Sequence, residues 1–596
     1  MNANFSDGSP EEVQVNTGAH ALLRSNQRRP KLSLARNCHW ICLAISAIFS
    51  VHSSVAGVWT PVTNHAPGGV ELMLLLPDGT VMAANSPGGS TYSTNWYRLT
   101  PDKHGKYVDG TWSKLASMNY TRYDFSSIVL TNGQVFVAGG EYGTGTATSE
   151  EYNPQSNIWT IIPLPTSLLN PDVASPEIGE NQGFYDSIAK ILANGEVLIA
   201  PDGADSYGGT LLFNPATSTW LDGPTTVEKA YPDQSEASWV KLPDDSILTV
   251  NPSTTNSERY IPSLVRWIPD ANLPVNLCTN GEIGPAVLLP NGKAFYLGAT
   301  GHTALYTPSG TTNTGTWSAG PDIPDGEIAP DSPAASLANG NVLCAVEPLP
   351  IYSGPTSFYE YNWVTNTFES VNAPTATTYF AAPYYTKMLD LPDGSVMFST
   401  GGYSQPYVYF PDGSPNPGGQ PTIANLTYNA ADGSYLLAGT LLNGISEGAT
   451  YGDDAQMDSN YPLVRLTDAA TNVYYARTFN WNSTSVQATN KLVSVQFVLP
   501  ANLPPANYSL VAVANGIASK PVNLSIPLQL QAASGGPATL VLTWPAFPSN
   551  IILQETTSLN SPDWTTVTNT PNLVGNNLVL TNQTVGTDAF FRLQIN

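Results

Sequence analysis

The sequence predicts an all-β chain: a seven-bladed propeller, then an immunoglobulin-like β-sandwich and a small C-terminal β domain. Two periodic signals and one run of strand segments carry that prediction. The first signal is a turn that recurs seven times, as Leu76-Pro77-Asp78-Gly79, Leu130-Thr131-Asn132-Gly133, Leu192-Ala193-Asn194-Gly195, Leu242-Pro243-Asp244-Asp245, Leu289-Pro290-Asn291-Gly292, Leu337-Ala338-Asn339-Gly340 and Leu391-Pro392-Asp393-Gly394. Successive copies stand about 47 to 62 residues apart, the period of four-stranded propeller blades. Each copy joins an apolar strand before it to another after it, as Leu72 to Leu76 precedes Gly79 and Val197 to Ile199 follows Gly195. Asn-Gly and Asp-Gly read as tight hairpin turns in which both central residues take positive φ.

The second signal is an aromatic that closes each unit: Trp112, Trp159, Trp220, Trp267, Trp317 and Phe368. In several units another aromatic stands seven residues earlier, as Tyr152 does before Trp159, Phe213 before Trp220 and Tyr361 before Phe368. Six closing aromatics for seven turns leave one missing, and Trp59 is the candidate, since it precedes the first turn. The strand around Val58 to Val62 is therefore expected to be the outer strand of the last blade, which ties the ends of the ring together and removes an open sheet edge.

The propeller is expected over residues 57–418, ended by the turn-rich stretch Pro411-Asp412-Gly413-Ser414-Pro415-Asn416-Pro417-Gly418-Gly419. Strand segments at Tyr435 to Leu437, Leu463 to Leu466, Val473 to Ala476, Val493 to Val498 and Ser509 to Val513 place a sandwich over residues 419–527. Residues 528–596 repeat the style in a small β domain, through Leu540 to Trp544, Ile551 to Gln554, Leu578 to Leu580 and Phe590 to Leu593.

Charged residues are only 11% of the chain and the formal net charge is −24, so the surface is polar and acidic. That disfavours nucleic acid and anionic membranes as partners. Residues 1–56 read as a targeting segment: Arg24, Arg28, Arg29, Lys31 and Arg36 precede an apolar run from Trp40 to Val51, and Ser54-Val55-Ala56 offers a cleavage site before Gly57. The apolar run is short for a bilayer span. The expectation is a secreted, extracellular or cell-surface monomer with no membrane insertion after cleavage. Cys278 and Cys344 lie beyond the targeting segment in neighbouring units, where an oxidising compartment could bridge them; two buried thiols are the alternative.

The run Val135-Phe136-Val137-Ala138-Gly139-Gly140, with Tyr152 and Trp159, is similar to a kelch repeat, and Leu503-Pro504-Pro505-Ala506-Asn507-Tyr508-Ser509-Leu510-Val511-Ala512-Val513-Ala514-Asn515-Gly516 resembles the last strands of the sandwich in galactose oxidase and its copper-radical-oxidase relatives. The resemblance covers roughly residues 57–527 and implies a propeller-plus-sandwich architecture. It also implies a copper site of two tyrosines and two histidines, one tyrosine being cross-linked to a cysteine. The positions matching the family's Tyr-His pair are Tyr384 and Tyr385, so the imidazole is missing there. The sandwich segment matched to the family's channel-reaching loop, near Thr471-Asn472, has no histidine either. Of six histidines, only His65, His104 and His302 lie beyond the targeting segment. The chain thus resembles the family without its copper ligands, and copper is not expected.

Nine residues before the last residue of each turn stand Val70, Asp124, Asp186, Glu236, Ile283, Asp331 and Tyr385, with Glu71 and Glu282 one step away. Inner strands of a propeller line its channel, so Asp124, Asp186, Glu236 and Asp331 are candidates for a carboxylate ring at the channel mouth. Converging carboxylates raise one another's pKa unless a cation relieves them, which makes Asp186 and Asp331 candidate Ca²⁺ ligands. Solvated strand ends are the plain alternative. Tyr384 and Tyr385, with Tyr379, offer a stacking platform for a sugar, although core packing accounts for at least one of the three equally well. The cluster Asp453-Asp454-Ala455-Gln456-Met457-Asp458 fits a solvated loop better than a calcium loop. No phosphate loop, zinc spacing or serine triad stands out. The resulting expectation is a secreted recognition protein binding carbohydrate or another extracellular polymer through the channel face. The alternatives are a diverged copper-radical oxidase and an adhesive surface protein.

Overall fold

The repeated turns do what their spacing requires: each closes the innermost hairpin of one antiparallel sheet. In the computed structural model the described residues are 56–87, 92–142, 144–145, 147–164, 184, 187–200, 209–224, 226–227, 237–450 (side chains to 447), 460–546, 549–560, 562–574, 577–583 and 588–595. Among them the chain is all-β, and seven sheets follow one another along the sequence. Their innermost strands are Val70–Leu75, Ser126–Val129, Ile188–Ile191, Trp239–Lys241, Ala286–Leu288, Ala334–Ser336 and Thr386–Asp390. Each innermost strand adjoins that of the next sheet, and the seventh adjoins the first, so the sheets close into a ring of the propeller type.

The turn chemistry differs from the expected form. Only the fourth residue has positive φ, from +66° at Asp245 to +93° at Gly340, and the Asp or Asn before it does not. That Asp or Asn instead accepts, through its side-chain oxygen, the amide of the residue two positions on: Thr80 on Asp78 at 3.1 Å, Gln134 on Asn132 at 2.9 Å and Asn341 on Asn339 at 2.8 Å. The short polar side chain is used to fix the turn, and the fourth residue, glycine in six turns and Asp245 in the other, supplies the left-handed conformation.

The closing strand stands where Trp59 placed it. Val58–Pro61 pairs antiparallel with Tyr407–Phe410 and supplies the outer strand of the seventh sheet. Trp59 lies opposite Tyr409, as Trp159 lies opposite Tyr152, Trp220 opposite Phe213 and Phe368 opposite Tyr361. The seven-residue spacing of these aromatics is a cross-strand pair repeated around the ring.

After the ring, Asn425–Asn429, Ser434–Gly439, Leu463–Thr467, Val473–Phe479, Val493–Val498, Ala506–Ala514 and Val522–Ile526 build a second β unit. Val473–Phe479 serves two partners: Val473 to Ala476 pair with Leu463–Thr467, and Arg477 to Phe479 pair with Val493–Val498. This unit covers the turn side of the ring. A Cβ on Gly79 would come within 2.3 Å of the Tyr475 ring, and the Thr478, Trp481 and Thr484 amides bond Pro77, Thr131 and Ala193 oxygens. The last residues form two more sheets around Leu542, Trp544, Ile551, Leu553 and Leu580.

One strand of the second unit enters the ring. Glu447–Thr450 pairs with the fifth innermost strand, Leu288 opposite Glu447 and Ala286 opposite Thr450, and also adjoins the fourth and sixth. The channel-reaching segment is therefore this one. Thr471, which the sequence comparison had matched to it, sits on the turn side with its carbonyl 3.1 Å from His104 Nδ1.

Of the two readings of Cys278 and Cys344, the structure shows the pair of buried thiols and not the bridge. Cys278 packs with Val250, Ile283 and Tyr296, and its thiol bonds the Asn251 carbonyl at 3.2 Å; Cys344 packs in another core beside Phe295 and Tyr361. Each sulfur fills its own core, and burial pushes the Cys344 thiol pKa up. Apart from Ala56, the targeting segment lies outside the described residues, among which no helix is long and apolar enough to cross a membrane.

Candidate functional site

Because the turns and the second β unit cover one side of the ring, the starts of the innermost strands belong to the opposite side. The loops of that side run from the outer strand of one sheet to the innermost strand of the next, and from second to third strands. They carry Asp124, Glu282, Asp331, Tyr384 and Tyr385, and Glu71 stands at the start of the first innermost strand beside them. Asp186 and Glu236 lie outside the described residues. So does the cluster Asp453 to Asp458, which follows the strand that climbs the channel.

Asp124 and Asp331 stand at the same repeat position and share a rare backbone, with φ of +40° and +43°. A left-handed aspartate is tolerated but costs energy, and such positions gather at functional sites. Asp124 is partly neutralised: Lys387 Nζ lies 3.5 Å from its Oδ1. Glu71, 3% exposed, hydrogen-bonds Asp124. Burial first, and then the Asp124 charge, hold the Glu71 carboxyl well above the usual carboxylate range, while Lys387 opposes them. The arrangement is a carboxyl pair sharing a proton beside an ammonium group.

A second arc spans the fifth, sixth and seventh sheets. Tyr352, at φ +62°, donates its hydroxyl to Glu282 and its amide to Glu347. Glu347 is fully buried, and its Oε2 has no hydrogen-bond partner among the described residues. Burial, with a smaller push from Glu282, raises its pKa to about 8, against the Tyr352 and Ser353 amides that lower it. Tyr384 meets Tyr352 edge to face at 5.3 Å and lies 3.9 Å from Tyr385 between ring centroids. Its phenol is pushed up by burial, then by Tyr385, Asp331 and Glu347, so these groups form one electrostatic neighbourhood.

The arc is also aromatic. Tyr352, Phe380, Tyr385 and Tyr403 are 44%, 59%, 43% and 50% exposed, too open for core residues, and all stand in loops of this side of the ring. Phe380 and Tyr403 meet edge to face at 5.0 Å. Of the three expected tyrosines, Tyr379 is the core residue: it is 3% exposed and packs on Phe398. Sequence reasoning missed Tyr352, Phe380, Tyr403 and Glu347. A usable signal existed for one of them: Tyr403 directly follows the doublet Gly401-Gly402, much as exposed Tyr142 closely follows Gly139-Gly140.

The residues do not fit a copper-radical centre. His65, His104 and His302 are engaged with Ser404, Thr471 and Asp322, and both cysteines are core residues, leaving the tyrosine pair with neither imidazole nor thioether partner among the described residues. No group of three or more His, Cys, Asp or Glu among the described residues is placed to hold a metal ion. A cleft of about 430 Å³ opens elsewhere, on the turn side between the third and fourth sheets, lined by Glu196, Asp244, Asp245 and Tyr260.

No protein-family model and no curated protein matches the chain. Solved structures similar to it include a novel fungal alcohol oxidase of the AA5 family in complex with copper, 13% identical over 79% of this chain and 100% of that one, with a TM-score of 0.47. A streptogramin B lyase is 12% identical over 60% of this chain and 98% of that one, TM-score 0.40. The extracellular domain of a putative hybrid two-component system from B. thetaiotaomicron is 9% identical over 79% of this chain and 59% of that one, TM-score 0.39.

Proposed function

We propose that the chain is a secreted recognition protein: a seven-bladed kelch-type propeller with an immunoglobulin-like sandwich that binds an extracellular carbohydrate polymer on the open side of the ring. The observation that carries this reading is the arc of half-exposed aromatics, Tyr352, Phe380, Tyr385 and Tyr403, set beside carboxylates. Sugar rings present an apolar face and a hydroxylated edge, and an aromatic next to hydrogen-bonding groups answers both. Several platforms on one side suit consecutive units of a chain better than a single small molecule. Oxidase chemistry is disfavoured because the tyrosine pair lacks imidazole partners, and a cupric site depends on them.

The test is binding of soluble neutral and amine-bearing oligosaccharides by calorimetry, with wild type beside Tyr385→Ala. Binding that weakens on losing the exposed ring supports the reading. No binding by any glycan, or binding indifferent to Tyr385, overturns it. Copper uptake with peroxide release from alcohols would replace it with the oxidase.

A further inference from the structure

We propose that the polymer is cationic, an amino sugar with free protonated amines, and that its ammonium group seats between the fifth and sixth sheets at Glu282 and Glu347, with its ring on Tyr352 and Tyr385. This rests on the carbohydrate reading and names the class of sugar.

The argument begins with Glu347. Its carboxyl is fully buried, one oxygen is held by the Tyr352 amide, and the other has no hydrogen-bond partner among the described residues. A buried polar atom left unpaired is costly and marks a place where a missing partner belongs. The groups acting on Glu347 are the Tyr352 and Ser353 amides and the Glu282 carboxyl, and none is a cation. At the other arc the carboxyls of Asp124 and Glu71 have Lys387 as counter-ion. The contrast is the point: Asp124 and Glu71 have an ammonium beside them, and no cation is among the groups that act on Glu347.

Tyr352 joins the two requirements in a single side chain. Its hydroxyl is fixed on Glu282 and its amide on Glu347, its ring abuts Tyr384, and it is 44% exposed. A sugar stacked on that ring brings its substituents to the carboxyls that hold the ring. An ammonium supplies Glu347 with the counter-ion beside which it can release its proton and accept a charge-assisted hydrogen bond, whereas a hydroxyl brings no charge and an N-acetyl group adds bulk without charge. The net charge of −24 favours the approach of a polycation from a distance.

The experiment titrates the chain with three hexasaccharides of β-1,4 glucose type that differ only at the 2-position: amino, N-acetylamino and hydroxyl. Calorimetry at low salt and at a pH that keeps the amine protonated should show the amino form binding roughly tenfold or more tightly than the other two, as one charge-assisted pair supplies. Glu347→Gln and Glu282→Gln should each erase most of that preference, read as the ratio of amino-form to hydroxyl-form affinity within each variant. Equal affinity for all three sugars overturns the proposal and leaves the carbohydrate reading standing. A preference that survives both substitutions overturns the assigned seat. Failure of all three to bind, or indifference to Tyr385→Ala, removes the carbohydrate reading itself. If Glu347→Gln does not fold, Glu282→Gln decides alone.

Discussion

Inside the ring, Glu447 Oε1 lies 3.2 Å from Lys190 Nζ, joining a strand of the second β unit to the third innermost strand. Both side chains are nearly inaccessible, at 3% and 5% exposure. Glu447 also accepts the Lys241 amide, and its carbonyl accepts the Ser336 hydroxyl at 3.4 Å. One inserted residue therefore touches the third, fourth and sixth sheets while its strand pairs with the fifth. The ring and the unit that covers it are expected to behave as one cooperative body.

That geometry yields the first prediction. Glu447→Ala strands the Lys190 ammonium in the channel, and breaking a buried pair in this way costs about 3–5 kcal/mol. The double change Lys190→Met with Glu447→Leu should recover most of the loss, because no charge is then left buried without its partner. Urea unfolding followed by tryptophan fluorescence reads both. A single substitution that left the midpoint in place would mean that the channel admits water to this pair.

Ring closure gives the second prediction. Trp59 packs on Phe358, Phe398 and Tyr409 at 4.8 to 5.5 Å between centroids, and its indole N–H donates to the Asn372 carbonyl at 2.6 Å. Trp59→Ala removes both from a half-buried site and should cost about 2–3 kcal/mol, below the full value for a buried tryptophan. The loss should concentrate at the seam, so limited proteolysis of the variant should cut first in the strand 58–61. Uniform resistance like that of wild type would count against closure by this strand.

The closure was legible because it is a counting problem. Seven turns and six closing aromatics leave one place to fill, and Trp59 fills it with the same cross-strand partner type as Trp159 and Phe368. The turn mechanism was less legible, since Asp-Gly serves several turn types and only the φ at Asp78 or Asn132 separates them. The site was legible only in part. Counting back from the turns reaches strand starts, so it picks out Asp124, Asp331 and Tyr385 by position, but loops vary in length. Tyr352 and Glu347 lie in a second-to-third-strand loop with no fixed offset, and periodicity is silent there. The entry of Glu447 was hidden for another reason: a short strand that pairs across units has no local partner in the sequence.

The tyrosines supply the third prediction through a contrast. Tyr379 and Tyr385 stand six residues apart, yet one is 3% exposed and the other 43%. Tyr379→Ala opens a cavity beside Phe398 and takes an acceptor from the Thr400 hydroxyl, 2.8 Å away, so it should destabilise by about 3–5 kcal/mol. Tyr385→Ala should move the unfolding midpoint little and weaken glycan binding instead. Paired melts and titrations separate the two. The assignment fails if the exposed ring proves to be the structural one.

Glu347 supplies the last prediction, in stability against pH. Its folded pKa, about 8, exceeds the ordinary value of 4.5 expected in the unfolded chain. Between those values the native carboxyl holds its proton while the unfolded one gives it up, so the unfolded state binds fewer protons and stability falls as pH rises. Above about 8 both forms are ionised and the contribution levels off. Burial sets this window first, the Tyr352 and Ser353 amides oppose it, the Glu282 carboxyl adds to it, and the Tyr384 phenol stands in the field of the same carboxyl. Glu71 and Glu151 are raised as well and add slopes of their own, so the informative quantity is wild type minus Glu347→Gln. That difference should shrink steadily from pH 5 to pH 8 and then hold constant, as unfolding midpoints in matched buffers will read. A flat difference would mean that Glu347 is already ionised in the fold and has found its cation within the chain, which would also remove the ground for seating an amino sugar there.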